Sequence, residues 1–237
     1  ALSCVLAVGY LLRVKSDYKI NIKELKIDKA IAKEIIRIGL PTAIQNAVIS
    51  FSNVLVQSSV NAYGSTAMAG YTAYLKIDGF NILPVLSISM AVTTFTGQNV
   101  GAKNLKRVKK GMYDALIMCT IYTILTGVFL LSLSHQILSL FTNDSAVIEY
   151  GQLAMKYFCP FYFLLGILNT LAGTVRGAGK GVPPMLILLF SMCIFRIFWI
   201  KLALPFFSTI DGIFMLYPIS WLVGMIMMII YTRYGKW

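Results

Sequence analysis

Between about residue 40 and residue 232 the chain is a succession of long apolar runs separated by short polar or basic turns. A helix needs roughly 20 apolar residues to cross a bilayer. Within hydrocarbon every backbone N–H and C=O must be satisfied inside the segment, so repeated runs of this length point to a bundle of spanning helices. The runs lie at roughly 40–61, 67–97, 111–133, 147–175, 183–207 and 211–232. The reading is all-α: a polytopic membrane protein with a six-helix transmembrane bundle. Hydrophobic residues make up 58% of the chain and charged ones 13%, against about 25% charged in an ordinary soluble domain. Two of the runs exceed the length a bilayer demands, so tilt or kinking is expected. Pro84 and Pro160 are the expected kink points.

Charge orders the bundle. The formal net charge of +12 would suggest nucleic acid in a soluble protein. Here the basic residues fall in clusters between apolar spans, which favours loops beside anionic lipid and no nucleic-acid partner. Assigned to alternate loops, 17 of the 21 Lys and Arg fall on one side. The loops near 62–66, 134–146 and 208–210 hold none. The positive-inside rule then makes the basic side, and the carboxy terminus, cytoplasmic.

The chain opens on Ala1 inside the apolar run 1–14, read as the tail of a preceding transmembrane helix. Residues 15–38 read as a cytoplasmic linker with an amphipathic helix. Ile27, Ile31, Ile35 and Ile38 share one side, and Lys26, Lys29, Lys33 and Arg37 the other. Such a helix lies in the membrane interface. Residues 39–237 hold the six spans. Cys4, Cys119, Cys159 and Cys193 lie in apolar stretches without CxxC or Cys/His spacing, so no metal site is expected and the thiols read as structural.

Three punctuating segments carry physical meaning. Gly39-Leu40-Pro41 opens a span, where proline costs no hydrogen bond. Gly97-Gln98-Asn99-Val100-Gly101-Ala102 closes a long span ahead of a basic loop. Arg176-Gly177-Ala178-Gly179-Lys180-Gly181-Val182-Pro183-Pro184 is a tight basic turn whose glycines suit positive φ. Gly97 with Gly101, and Gly173 with Gly177, have the small-xxx-small spacing that lets backbones approach. Lys180 is followed by Gly181 rather than Ser or Thr, so the turn is no phosphate loop.

In this order and at these separations the segments resemble one half of a multidrug and toxic compound extrusion (MATE) transporter. The stretch FRIFWIKLAL, containing Arg196, resembles the carboxy-terminal lobe in particular. The chain holds one Gly-Gln-Asn-Val-Gly-Ala segment, which is the expectation for one lobe rather than two. The family's motif residues here are Gly39, Pro41, Gly97, Gln98, Asn99, Gly101, Arg176, Gly177 and Gly179. The resemblance implies two six-helix lobes around a substrate cavity, export of lipophilic organic cations by antiport against H⁺ or Na⁺, and no cofactor. It implies a multi-pass protein of the plasma membrane, the inner membrane of the cell, with an amino-terminal lobe as partner. The NorM-like sodium branch keeps a Glu where this chain has Ile49. The DinF-like branch, which the chain resembles more, keeps its coupling carboxylate in the amino-terminal lobe. The coupling ion is thus expected to bind outside these residues.

Intramembrane polar residues are the usual site candidates. Asn46, Ser50, Asn53 and Gln57 form one helical stripe, facing either the cavity or a neighbouring helix. Tyr71, Tyr74, Asp78 and Asn81 form a second, a wall suited to flat cations. Asp78 is the sharpest candidate, although Lys76 lies two residues away and a structural ion pair with another helix is an ordinary alternative. Lys156, Arg196 and Lys201 are expected to pair or to snorkel. A lipid-linked oligosaccharide flippase is the alternative function. No HExxH or Ser/Lys arrangement points to an enzyme.

Overall fold

The computed structural model describes residues 2–14, 26, 28–207 and 209–235. They are helical throughout, without a strand among them. Ala1–Arg37 forms one compact unit and Ile38–Trp237 a second. In the first, α1 spans Leu2–Arg13. Ile27 and the basic residues 15–23 fall outside the described residues, and with them most of the expected linker.

Helix α2 runs from Lys29 to Asn61. Asp28 starts it, accepting from the Ala30 and Ile31 amides at 2.7 and 3.2 Å, the capping that an unpaired first turn requires. The expected interfacial helix is therefore the first part of α2 rather than a separate element. Pro41 correspondingly lies inside the helix, not at its opening. One missing N–H is the cost of fusing the two segments.

Five helices are long and apolar enough to cross a membrane: Ser65–Gly101, Leu105–Ser132, Ser145–Gly177, Val182–Phe206 and Asp211–Tyr234. They coincide with five of the six expected spans. Helix α2 has the length but is not among them. Gln45, Asn46, Ser50, Ser52, Asn53, Gln57, Ser58 and Ser59 crowd its second half and dilute its apolar character.

Helix α3 (Ser65–Gly101) continues through Pro84, and α4 is Leu105–Ser132. A short α5 (Ser134–Ser139) leads to the third span. That span is broken at Pro160 as expected: α6 (Ser145–Phe158), a 3₁₀ turn at Cys159–Phe161, and α7 (Tyr162–Gly177). It is the central element, packing on α3, α4 and α11. It is the most deeply buried of the five, whereas α4 is mostly exposed.

The fourth span is irregular in two places. Helix α8 (Val182–Leu189) passes into a π segment, Phe190–Ile194, then α9 (Phe195–Phe198), then a second π segment, Trp199–Ala203. Each π segment is closed by an i→i−5 bond, Phe195 to Phe190 and Leu204 to Trp199. Pro205 has no N–H for the Lys201 carbonyl, so the regular ladder fails there and the wider turn takes its place. Helices α10 (Asp211–Phe214) and α11 (Leu216–Tyr234) complete the chain.

Two motif loops end their helices in the same way. After Gly101, Lys103 has φ 57°, its N–H donates to Val100 O, and the Asn104 N–H donates to Asn99 O. After Gly177, Gly179 has φ 82°, its N–H donates to Arg176 O, and the Lys180 N–H donates to Val175 O. Both are Schellman caps, which return orphan carbonyls to hydrogen bonding. Of the turn glycines, Gly179 is the one that needs positive φ. Asn104 then caps α4 through the Arg107 amide at 3.1 Å.

Small residues bring α3 and α7 together. A Cβ built on Gly177 would lie 2.3 Å from Thr93 O, and one on Gly173 would lie 2.6 Å from Ser89 O. The hydroxyls of that seam then bond across it: Ser89 donates to Asn169 O at 2.7 Å and Thr93 to Gly173 O at 3.0 Å. The Arg176 guanidinium donates to the Ser89 hydroxyl at 3.3 Å. Gly97 would meet Gly177 O at 3.4 Å, but nothing lies within 4 Å of a Cβ on Gly101. Of this pair, Gly97 is the one that meets α7. Asn99 is buried and donates to Phe95 O at 2.7 Å, while Gln98 is exposed.

Candidate functional site

The polar residues of the lobe divide between an interior cluster and an outward stripe. Asn46, Ser50 and Asn53 are exposed on α2, and Gln57 is partly so. On α3 the residues Ser87, Thr94 and Gln98 are likewise exposed. The outward face of α4 is apolar by contrast, carrying Ile117, Met118, Ile121, Ile124, Leu125 and Val128.

Tyr71, Tyr74 and Asn81 do not share the outward stripe. They are buried within the lobe, because α3 turns that side toward α6 and α7. A wall open to flat ligands is therefore not what these three form here. They build an interior hydrogen-bond system instead. The Tyr162 hydroxyl donates to Asp78 Oδ1 at 2.6 Å, and the Tyr74 hydroxyl lies 2.8 Å from that of Tyr162. Tyr162 is the first residue of α7, directly after the break at Pro160, and the break aims it at α3. The Trp221 ring stacks on it at 6.0 Å. Tyr122 on α4 donates to Asn81 O at 3.1 Å.

A second group is built around Arg196 on α9. Arg196 is 3% exposed, so it neither snorkels nor reaches a loop. It donates to Asn53 Oδ1 at 3.0 Å and Ser220 Oγ at 3.3 Å, and lies 4.4 Å from the Tyr217 ring centroid. Neutral acceptors and an aromatic face thus take the place of a carboxylate. A cation in a spanning segment costs about 2.5–3.5 kcal/mol even on insertion scales, and such contacts offset that cost. The hydroxyls of Tyr217 and Tyr71 are 2.6 Å apart, tying Arg196 to α3.

Phe158 joins the two groups, packing on Tyr74 and Tyr217 at 4.8 Å each. Asp78 and Arg196 are the charged members of one aromatic core, each held by neutral partners. Asp78 remains partly exposed. Lys76, two residues away, is exposed, with its ammonium 5.8 Å from the Phe141 ring centroid. Lys156 and Lys201 are exposed. Cys119, Cys159 and Cys193 are buried thiols, while Cys4 is exposed.

Tyr162, Tyr217, Ser220 and Trp221 were not anticipated. The signal was present for three of them, since residues 217, 220 and 221 fall at i, i+3 and i+4 in the last span. Gly39 and Pro41 take no part in either group.

The MatE family model matches residues 41–200. The chain belongs to the MatE family. This MatE chain is 31% identical over 160 residues to a probable multidrug resistance protein NorM of Thermotoga maritima, covering 68% of the chain and 34% of that protein. It is 28% identical over 220 residues to the probable multidrug resistance protein YoeA of Bacillus subtilis, covering 89% and 46%. The MatE chain therefore spans a third to a half of the length of these relatives. In fold it matches a MATE family transporter of the MOP superfamily in its outward-facing conformation, with a TM-score of 0.88 at 20% identity. That match covers 98% of this chain and 53% of the other. With five helices long and apolar enough to cross a membrane, this MatE chain is a multi-pass membrane protein.

Proposed function

We propose that this chain is the carboxy-terminal lobe of a multidrug exporter that antiports lipophilic organic cations against H⁺ or Na⁺. The observation that carries the reading is the asymmetry of the lobe's surface. Polar side chains do not rest in hydrocarbon without cost, so the exposed stripe Asn46, Ser50, Asn53 and Gln57 calls for a watered cavity or a partner. The apolar face of α4 suits lipid. In this reading α2 and α3 line the substrate path against an amino-terminal lobe, and the carboxy terminus is cytoplasmic. The coupling ion binds in that other lobe, consistent with Ile49 where the sodium-coupled branch keeps a Glu.

Asp78 takes the role of a positioning charge, drawing cationic substrates toward the α3 face while Tyr162 fixes it. The flippase reading fits less well. It needs several central basic residues, whereas Lys76, Lys156 and Arg196 form no run and Arg196 is engaged by Asn53, Ser220 and Tyr217. The test is transport by the full protein in sealed vesicles, with an ethidium-like dye under an imposed H⁺ or Na⁺ gradient. Gradient-dependent dye movement supports the reading. No change under either gradient removes it.

A further inference from the structure

A groove of about 890 Å³ lies between α4, α7 and α11, apart from both polar groups described above. Lys109 in the first turns of α4 and Arg233 in the last turn of α11 both line it. The remainder is largely aliphatic, with Leu116, Ile117 and Ile121 on one wall facing Ile167 and Ile229. Among the described residues its lining carries two cations and no carboxylate. From Lys109 to Ile121 the α4 wall is about 18 Å long at the helical rise per residue. The groove therefore combines a cationic mouth with a trough long enough for much of an acyl chain.

We propose that this groove is a binding site for an anionic phospholipid, its phosphate held between Lys109 and Arg233 and one acyl chain laid along α4. Charge complementarity selects this occupant. Two cations repel the organic cations proposed as cargo, and a zwitterionic lipid gains less from them. Basic pockets between spanning helices are suited to anionic headgroups, since each Lys or Arg near such a surface contributes on the order of 1 kcal/mol. The apolar outward face of α4 already places this side of the lobe against lipid. The site is independent of the antiport reading, because it uses none of the residues assigned to that path.

The experiment is native mass spectrometry of the full purified protein, delipidated and then offered phosphatidylglycerol or phosphatidylcholine in mixed micelles. Phosphatidylglycerol is expected to remain bound in preference. The double variant Lys109→Gln/Arg233→Gln should lower its retention roughly tenfold. Lys180→Gln, which removes an exposed charge on a different turn, should leave retention unchanged. Ile121→Trp fills the trough without altering charge and should lower retention too. Thermal melting in the same micelles gives a second readout, with phosphatidylglycerol raising the midpoint of the parent but not of the double variant. Equal retention of the two lipids, or full retention by the double variant, overturns the proposal. A second copy of the chain occupying the groove in place of lipid overturns it as well.

Discussion

Arg196 donates to Asn53 across 143 positions of sequence, and the two side chains meet at 3.0 Å. One is buried in the irregular fourth span and the other opens outward on α2. The contact therefore joins the interior of the lobe to the stripe assigned to the substrate path.

Replacing either partner should cost stability, and replacing both should cost less than the sum. Arg196→Met, Asn53→Leu and the pair form a double-mutant cycle. Its coupling energy is expected at about 1–3 kcal/mol, the range for a hydrogen bond to a charged group. Unfolding of the full protein in detergent measures it. A coupling near zero would show that Ser220 and the Tyr217 ring hold the guanidinium unaided.

Asp78→Asn should reduce drug export at least tenfold without lowering membrane abundance, because it removes charge while keeping size. Tyr162→Phe tests the same point from the other side. It should cost about 1–3 kcal/mol in stability by removing the donor to the carboxylate. Retained transport in Asp78→Asn would make the carboxylate purely structural.

The seam between α3 and α7 separates glycines that look alike in sequence. Gly177→Val should destabilise the protein by several kcal/mol, since its first carbon already meets Thr93 O at 2.3 Å. Gly101→Ala should be close to neutral, within about 0.5 kcal/mol, as nothing lies within 4 Å of that Cβ. Thermal melting of the two variants side by side decides it.

The motif loops give a matched pair. Lys103→Gly relieves a left-handed conformation at a non-glycine residue and should stabilise by roughly 0.5–1 kcal/mol. Gly179→Ala imposes that strain at the corresponding cap and should destabilise by a similar amount. Opposite shifts of the melting midpoint are the expected result.

Hydropathy and proline made five spans and the break at Pro160 legible in the sequence, because solvation in hydrocarbon acts on each segment separately. The motif turns were legible for a similar reason, since Gly179 answers to local φ. The site was legible in part. The stripe on α2 has a helical period and emerged as a stripe. The second stripe was read with the right period and the wrong direction. Periodicity says that Tyr71, Tyr74 and Asp78 share a face of α3, but not whether that face meets α7 or open space. Tyr162 and Tyr217, which complete the cluster, arrive from other helices, and no local pattern records that convergence. Arg196 was expected to pair or to snorkel; it pairs, with neutral groups that are distant in the chain and that no local pattern names. The GxxxG spacings divide likewise: Gly173 and Gly177 meet α3 and Gly97 approaches Gly177, while Gly101 has open space, since contact is a property of two helices.

The polar character of α2 bears on how such a lobe is made. The other five spans carry enough apolar surface to leave the translocon for lipid as each is synthesised. Helix α2 is the more polar one, and it precedes all of them. Two of its bonds to the rest, from Ser52 to the Met192 carbonyl and from Arg196 to Asn53, cannot form until the fourth span has been synthesised. The first long helix of the bundle thus waits for two of its hydrogen-bond partners until some 140 further positions have been translated.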